Sequence, residues 1–288
     1  MNSSDFRRTA RENLAGKWKK AVIISLASLV ISLVISFIEK NIPENLSGLI
    51  SLILLIIELP LSFGLVSAFV KLYNKYLDVA VIKIRSNKRL HVFKFGSGDK
   101  VKLYNKEDVH AFDFLSLGFS NFGKAWSISL NVLLKLLLPI IMLIISAVLL
   151  VVGGVGTFVT NSVAQTSTTV IQSMSGIAVV GFVLYFFSII WLIVKSYYYQ
   201  IAYIIAADDE SLTAKDAVER SKEIMTNNRG KLFVLQLSFI GWAILTIFTL
   251  GIGYLWLAPY MQFALIAFYK HFSGKDTDTV AIENENNK

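Results

Sequence analysis

The sequence predicts an all-α fold: a polytopic transmembrane helical bundle of about six spans, with a small basic cytoplasmic hairpin insertion and a short cytoplasmic amphipathic helix. Three observations predict it. Six apolar runs occupy residues 21–37, 46–70, 133–152, 176–194, 232–250 and 254–268, and most approach or exceed the ~20 residues a helix needs to cross a hydrocarbon core. Mean hydropathy is +0.60 and only 17% of residues are charged, against about 25% in a typical soluble domain. Of 28 Lys and Arg residues, 26 fall in the N-terminal segment, the second and fourth connections and the C-terminal tail. Only Lys40 stands on the opposite side, and Lys135 lies in or beside a span. The positive-inside rule then puts both termini in the cytoplasm of a multi-pass cell-membrane protein. A soluble bundle is the competing fold, but six helices this apolar cannot all be central.

The formal charge of +8 is therefore read as topology. The expected partners are the bilayer with its anionic inner leaflet and either a membrane protein or a second copy of the chain. No aromatic-plus-basic pattern points to nucleic acid. Cysteine is absent, which removes disulfides and thiolate metal ligands. His91 and His110 have no carboxylate partners at ligand spacing, so no metal site and no cofactor is expected.

The chain reads as a single membrane domain. Residues 5–20 have mixed charge and a stripe of Phe6, Ala10, Leu14 and Trp18 at intervals of four. We read them as a helical lead-in running on into the first span, with Trp18 as interface anchor; the alternative is a helix lying on the inner leaflet. The first run is followed by Ile38-Glu-Lys-Asn41 and not by a cleavage site, so it is expected to be a retained span. In the second span Pro60 should kink the helix. Glu58 sits near mid-span, where a bare carboxylate is costly. It is expected to face the bundle interior, either handling a proton or cation or locking helices together, with Lys135 as candidate partner. Lys135 could equally snorkel to the cytoplasmic interface. Gly64 and Ala68 form a small-xxx-small pair suited to close helix contact.

Residues 79–106 form the basic insertion. Val81–Arg85 and Lys100–Leu103 alternate apolar and charged side chains, with Ser86-Asn87 and Gly96-Ser-Gly-Asp99 between them, a pattern of short strands and turns. Phe112–Ala125 is rich in aromatics and suggests an interfacial helix or turn leading into the third span, which Pro139 is placed to kink. The uncharged loop Gly153–Ser175 is expected to be flexible. Tyr197, Tyr198 and Tyr199 are expected to form an aromatic belt at the cytoplasmic face. The apolar pattern continues past them to Ala206, so the fourth helix should project, tilt or break near Lys195-Ser196. Asp208-Asp-Glu210 should stop it and meet nearby Lys or Arg. Residues 212–226 read as the cytoplasmic helix: Ser211 or Thr213 caps it, Asp216 is at capping-box spacing from Thr213, and Leu212, Ala217, Val218, Ser221 and Met225 supply its stripe. Asn227-Asn228 and Gly230 are expected to end it. Gln236 and Gln262 are candidates for hydrogen bonds between helices. Gly251 and Gly253 permit a tight turn between the last two spans.

Several of these segments carry a resemblance. Lys195-Ser-Tyr, Ile204-Ile-Ala-Ala-Asp-Asp, Ala217-Val, Ser221-Lys, Met225, Leu237-Ser-Phe-Ile-Gly-Trp242, Leu250-Gly-Ile-Gly253, Ala258-Pro-Tyr260 and Phe268-Tyr269 resemble the domain-of-unknown-function 975 family of bacterial integral membrane proteins. Arg8, Ala10, Trp18-Lys, Phe114 and Gly118-Phe119 extend the likeness toward the N-terminus. The family often carries Pro-Gly before Lys-Ser-Tyr, where this chain has Trp191-Leu192. The resemblance implies a polytopic bundle and no established activity, and it carries over no functional residue.

No Gly-x-Ser-x-Gly elbow, Walker loop or His-Glu-x-x-His motif is present, so the chain is not expected to be an enzyme. The leading expectation is an accessory or partner-binding membrane component, associated with transport or envelope defence. A small-solute or lipid-handling permease is the alternative, and a membrane-embedded lipid enzyme the third reading.

Overall fold

A computed structural model describes residues 1–86, 109–162 and 168–274, and its first helix already departs from the expected lead-in. Helix α1 (Ser3–Leu14) ends before a turn in which Gly16 takes a φ of +77°, a left-handed value that glycine adopts without steric cost. Only then does α2 (Trp18–Lys40) begin. The stripe of α1 is buried against protein: the Phe6 ring lies 5.3 Å from Phe268 and 6.0 Å from Phe272. Trp18 is half-buried beside Tyr260, ring centres 6.4 Å apart.

Helix α3 spans Glu44–Ser86 with Pro60 inside it. It runs through Val81–Arg85, where alternation predicts a strand. A five-residue alternation is too short to outweigh a helix already propagating from the span. Residues 87–106 of the expected insertion lie outside the described residues. The expected lead into the third span is the short helix α4 (Asp113–Ser120), followed at once by α5 (Phe122–Ser162).

Helices α5 and α6 (Thr168–Ser196) make a long antiparallel pair. Gly153 approaches the backbone of Ala178, and Gly181 that of Leu149 and Leu150. A Cβ on Gly181 would stand 2.6 Å from the Leu150 nitrogen. These contacts hold much of the expected flexible loop in helix; only residues 163–167 of it lie outside the described residues. Helix α6 runs unbroken through Trp191-Leu192 and stops at Ser196, where the over-long run was expected to project, tilt or break. A turn leads into α7 (Ala202–Asp208).

Helix α8 (Ala214–Thr226) is capped as its sequence predicts. Thr213 accepts from the Asp216 N–H at 3.2 Å, and the buried face carries Ala217, Val218, Ser221 and Met225. Gly230 does not end it but falls in the first turn of α9 (Arg229–Leu237). The fifth apolar run is broken at Ser238-Phe239 before α10 (Ile240–Phe248). At this break Ser238 donates back to the Leu235 carbonyl at 2.6 Å. The following turn uses positive φ at Leu250 and Gly251 but not at Gly253, which opens α11 (Tyr254–Phe272).

Five segments are long and apolar enough to cross a membrane: Trp18–Lys40, Asn45–Asn74, Phe122–Phe158, Met174–Ser196 and Arg229–Phe248. Only 11–28% of the residues in their apolar windows are buried, so their surfaces face a surrounding medium and not a protein core. The sixth expected span is a helix, α11, but of different character. Gln262, Lys270 and His271 dilute its apolarity, and it is the central post of the fold, with Phe263, Ala264 and Ile266 through Lys270 buried. Around its C-terminal half gather α1, the later turns of α3 and α7, through pairs such as Tyr73–Phe263 at 5.4 Å and Phe69–Phe263 at 6.3 Å. The first and last of the described helices therefore meet at one end, the end that also carries most of the described cations.

Candidate functional site

At this basic end, the Asp208 carboxylate closes α7 inside the core. Its side chain is 3% exposed, and that of Lys270, its partner on α11, is 9% exposed. Lys270 Nζ donates to it at 2.5 Å, the Tyr269 hydroxyl at 3.1 Å and the Asn74 amide at 3.0 Å. A buried carboxylate is tolerated only when paired and hydrogen-bonded, and here donors from α3 and α11 converge on one from α7. Lys124 caps the same helix, donating to the carbonyls of Ala206 and Glu210, both at 3.1 Å. The acidic cluster thus stops the helix and meets lysines, as expected.

Lys135 does not reach Glu58. Its ammonium pairs with Glu219 of α8 at 2.5 Å, tying α5 to the helix expected to be cytoplasmic. That hydrogen bond, helped by nearby lysines, holds the Glu219 carboxyl below its ordinary 4.5. A depressed carboxyl stabilises the fold above its unfolded pKa. The contribution of this pair is thus complete above 4.5 and falls away as pH drops through the lower folded-state value. The protection factors of α8 amides, corrected for the pH dependence of intrinsic exchange, are expected to fall across that acidic window, and Lys135→Met should remove most of that fall.

Glu58 is exposed on α3 and does not face the interior. The residue that matters near it is Trp126. Pro60 has no N–H for the carbonyl four residues earlier, that of Ile56, and the Trp126 indole N–H donates to this oxygen at 3.1 Å. Trp126→Phe keeps the ring and strands the carbonyl, so thermal unfolding in detergent is expected to show a loss of about 1–3 kcal/mol. One turn on, the expected close contact is made: Gly64 lies against the backbone of Phe114 and Gly118.

Gln236 does bond between helices, accepting from the Tyr197 hydroxyl at 2.5 Å. The three tyrosines are not a free belt. Tyr197 is committed to Gln236, Tyr198 lies under the Arg229 guanidinium at 4.1 Å, and Tyr199 is buried. A charged or hydrogen-bonding neighbour from α9 is a better partner for these polar rings than a headgroup.

Gln262 reaches none of these groups. It lines a cleft of about 490 Å³ between α2, α3 and α11, opposite Ser25, Ser28 and Ser32. Those serines recur at i, i+3 and i+7, so they share one helix face. That spacing inside an apolar run is the signal in the sequence for this cleft. Ser25 is buried, Ser28 half-buried and Ser32 exposed, so the cleft deepens toward the basic end.

A family model described as "Protein of unknown function (DUF975)" matches residues 99–276. The chain belongs to the DUF975 family. No curated protein and no solved structure matches it. The DUF975 match takes in α4 to α11, and so Lys124, Lys135, Asp208, Glu219 and Lys270. Asn74 and the serine face of α2 precede the DUF975 segment, so both the ion-pair cluster and the cleft are completed by the chain's own N-terminal helices.

Proposed function

We propose that this protein is a non-catalytic accessory component of a cell membrane, with both termini in the cytoplasm, that holds a membrane-protein partner against its lipid-facing helices. The observation that carries this reading is where its ionisable groups are used. Lys124, Lys135, Asp208, Glu219 and Lys270 each bind a different helix of the same bundle, and Arg7 of α1 donates to the Ser238 carbonyl at the α9–α10 break, 3.4 Å away. The result is a braced basic end from which α5, α6 and α10 project apolar surface, with Phe158, Phe187 and Phe248 exposed. A carboxylate-driven permease would need a titratable carboxylate facing the interior near mid-span; Glu58 faces outward, and the buried Asp208 is committed to Lys270, Tyr269 and Asn74 at the basic end.

Affinity capture from native membranes tests the proposal. An unrelated membrane complex should copurify with the wild type and equally with Glu58→Gln. Recovery of the chain alone, or solute uptake lost in an abundant, folded Glu58→Gln protein, would count against it.

A further inference from the structure

We propose that the cleft between α2, α3 and α11 binds a neutral amphiphile, an apolar chain bearing one uncharged hydroxyl, ester or amide, with that group held by Ser25 and Gln262. The Ser25 side chain is 6% exposed overall and its Oγ has no hydrogen-bond partner. A buried hydroxyl left in this way is costly, and it sits at the closed end of the cleft. Ser28 does not relieve it: its hydroxyl donates to the Ser25 carbonyl at 2.9 Å and makes no bond to the Ser25 Oγ. The Gln262 amide on the facing wall has no hydrogen-bond partner among the described residues. Both groups donate and accept, so together they suit a hydroxyl or a carbonyl.

The remaining wall sets the rest of the ligand. Leu29, Leu65, Phe69 and Met261 call for an apolar body, and no Asp, Glu, Lys, Arg or His lines the cleft. A charged headgroup would be left without a counter-ion in an apolar setting. Its volume of about 490 Å³ falls within the range of small-molecule sites. Ser25 stands seven residues beyond Trp18 on α2, roughly 10 Å along the helix. A group held there is one that a molecule carries below the headgroups, as diacylglycerol carries its hydroxyl.

The test uses the purified full chain in phosphatidylcholine vesicles with a trace of photoactivatable diacylglycerol, labelled peptides being read by mass spectrometry. Label is expected to concentrate on residues 25–32 and 254–262, above the lipid-facing stretch of α6 around Phe182 and Phe187. Ser25→Val should lower the cleft label by at least about threefold, the effect of one lost hydrogen bond, while the α6 label stays constant. Ala258→Leu, which fills the cleft and leaves Ser25 in place, should do the same. Displacement by unlabelled diacylglycerol identifies a bilayer lipid as the source, and displacement by dodecanol alone identifies an amphiphile arriving from solution; both support the site. Label spread evenly over the lipid-facing surface, label unmoved by both variants, equal displacement by phosphatidic acid, or cross-linking of the serine face to a second copy would overturn it. The vesicles contain no partner protein, so this result is independent of the accessory role proposed above.

Discussion

Lys270→Met is expected to be the most damaging single exchange at the basic end, with a loss of about 3–5 kcal/mol in thermal unfolding in detergent. The size follows from burial. Asp208 and Lys270 are both nearly enclosed, so methionine fills the space of the lysine stem while leaving a carboxylate with Asn74 and Tyr269 as its remaining donors from the cluster. Two neutral donors do not replace an ammonium at low effective dielectric. Asp208→Asn in the same chain should recover part of the loss by removing the charge that the ammonium had offset. A Lys270→Met protein that unfolds with the wild type would mean that the pair is open to solvent.

Gly64→Val should be of similar severity, for a steric reason. A Cβ at Gly64 would stand 2.7 Å from the nitrogen and 2.8 Å from the Cα of Gly118. Both are backbone atoms and cannot swing aside, so the eight-residue α4 must move bodily. Overpacking costs typically 1–3 kcal/mol, occasionally more, and the upper part of that range is expected, read as a lower melting temperature and as new cleavage between α3 and α5 by added protease. Gly48→Ala is the control. Nothing lies within 4 Å of a Cβ there, and an exposed helical glycine replaced by alanine should gain about 0.5–1 kcal/mol.

The helical bundle was legible because its signals are local and repeated. Apolar runs, the Thr213–Asp216 cap and the Gly64 contact each declare themselves within a few residues. The pairing of charges was not. Lys135 has Glu58 and Glu219 as possible partners, separated from it by 77 and 84 positions, and only the placement of α8 beside α5 decides between them. The role of Trp126 was hidden in the same way. That Pro60 frees a carbonyl can be read from the sequence, but which donor meets it depends on where α5 begins. The character of α11 is not legible in its sequence, because hydropathy measures a helix's average composition and not the number of neighbours surrounding it. The cleft's open hydroxyl is equally hidden, because a serine in an apolar helix ordinarily bonds its own backbone, and only the fold shows that the Ser25 hydroxyl lacks a partner.

The contact of Phe6 with Phe268 and Phe272 has a bearing on how the protein is made. The ribosome delivers α1 well before α11, so Phe6, Ala10 and Leu14 must wait until Tyr254–Phe272 emerges before their docking surface exists. A nascent chain stopped short of α11 would leave Phe6, Ala10 and Leu14 unsheltered, so truncation before residue 254 should expose α1 to added protease.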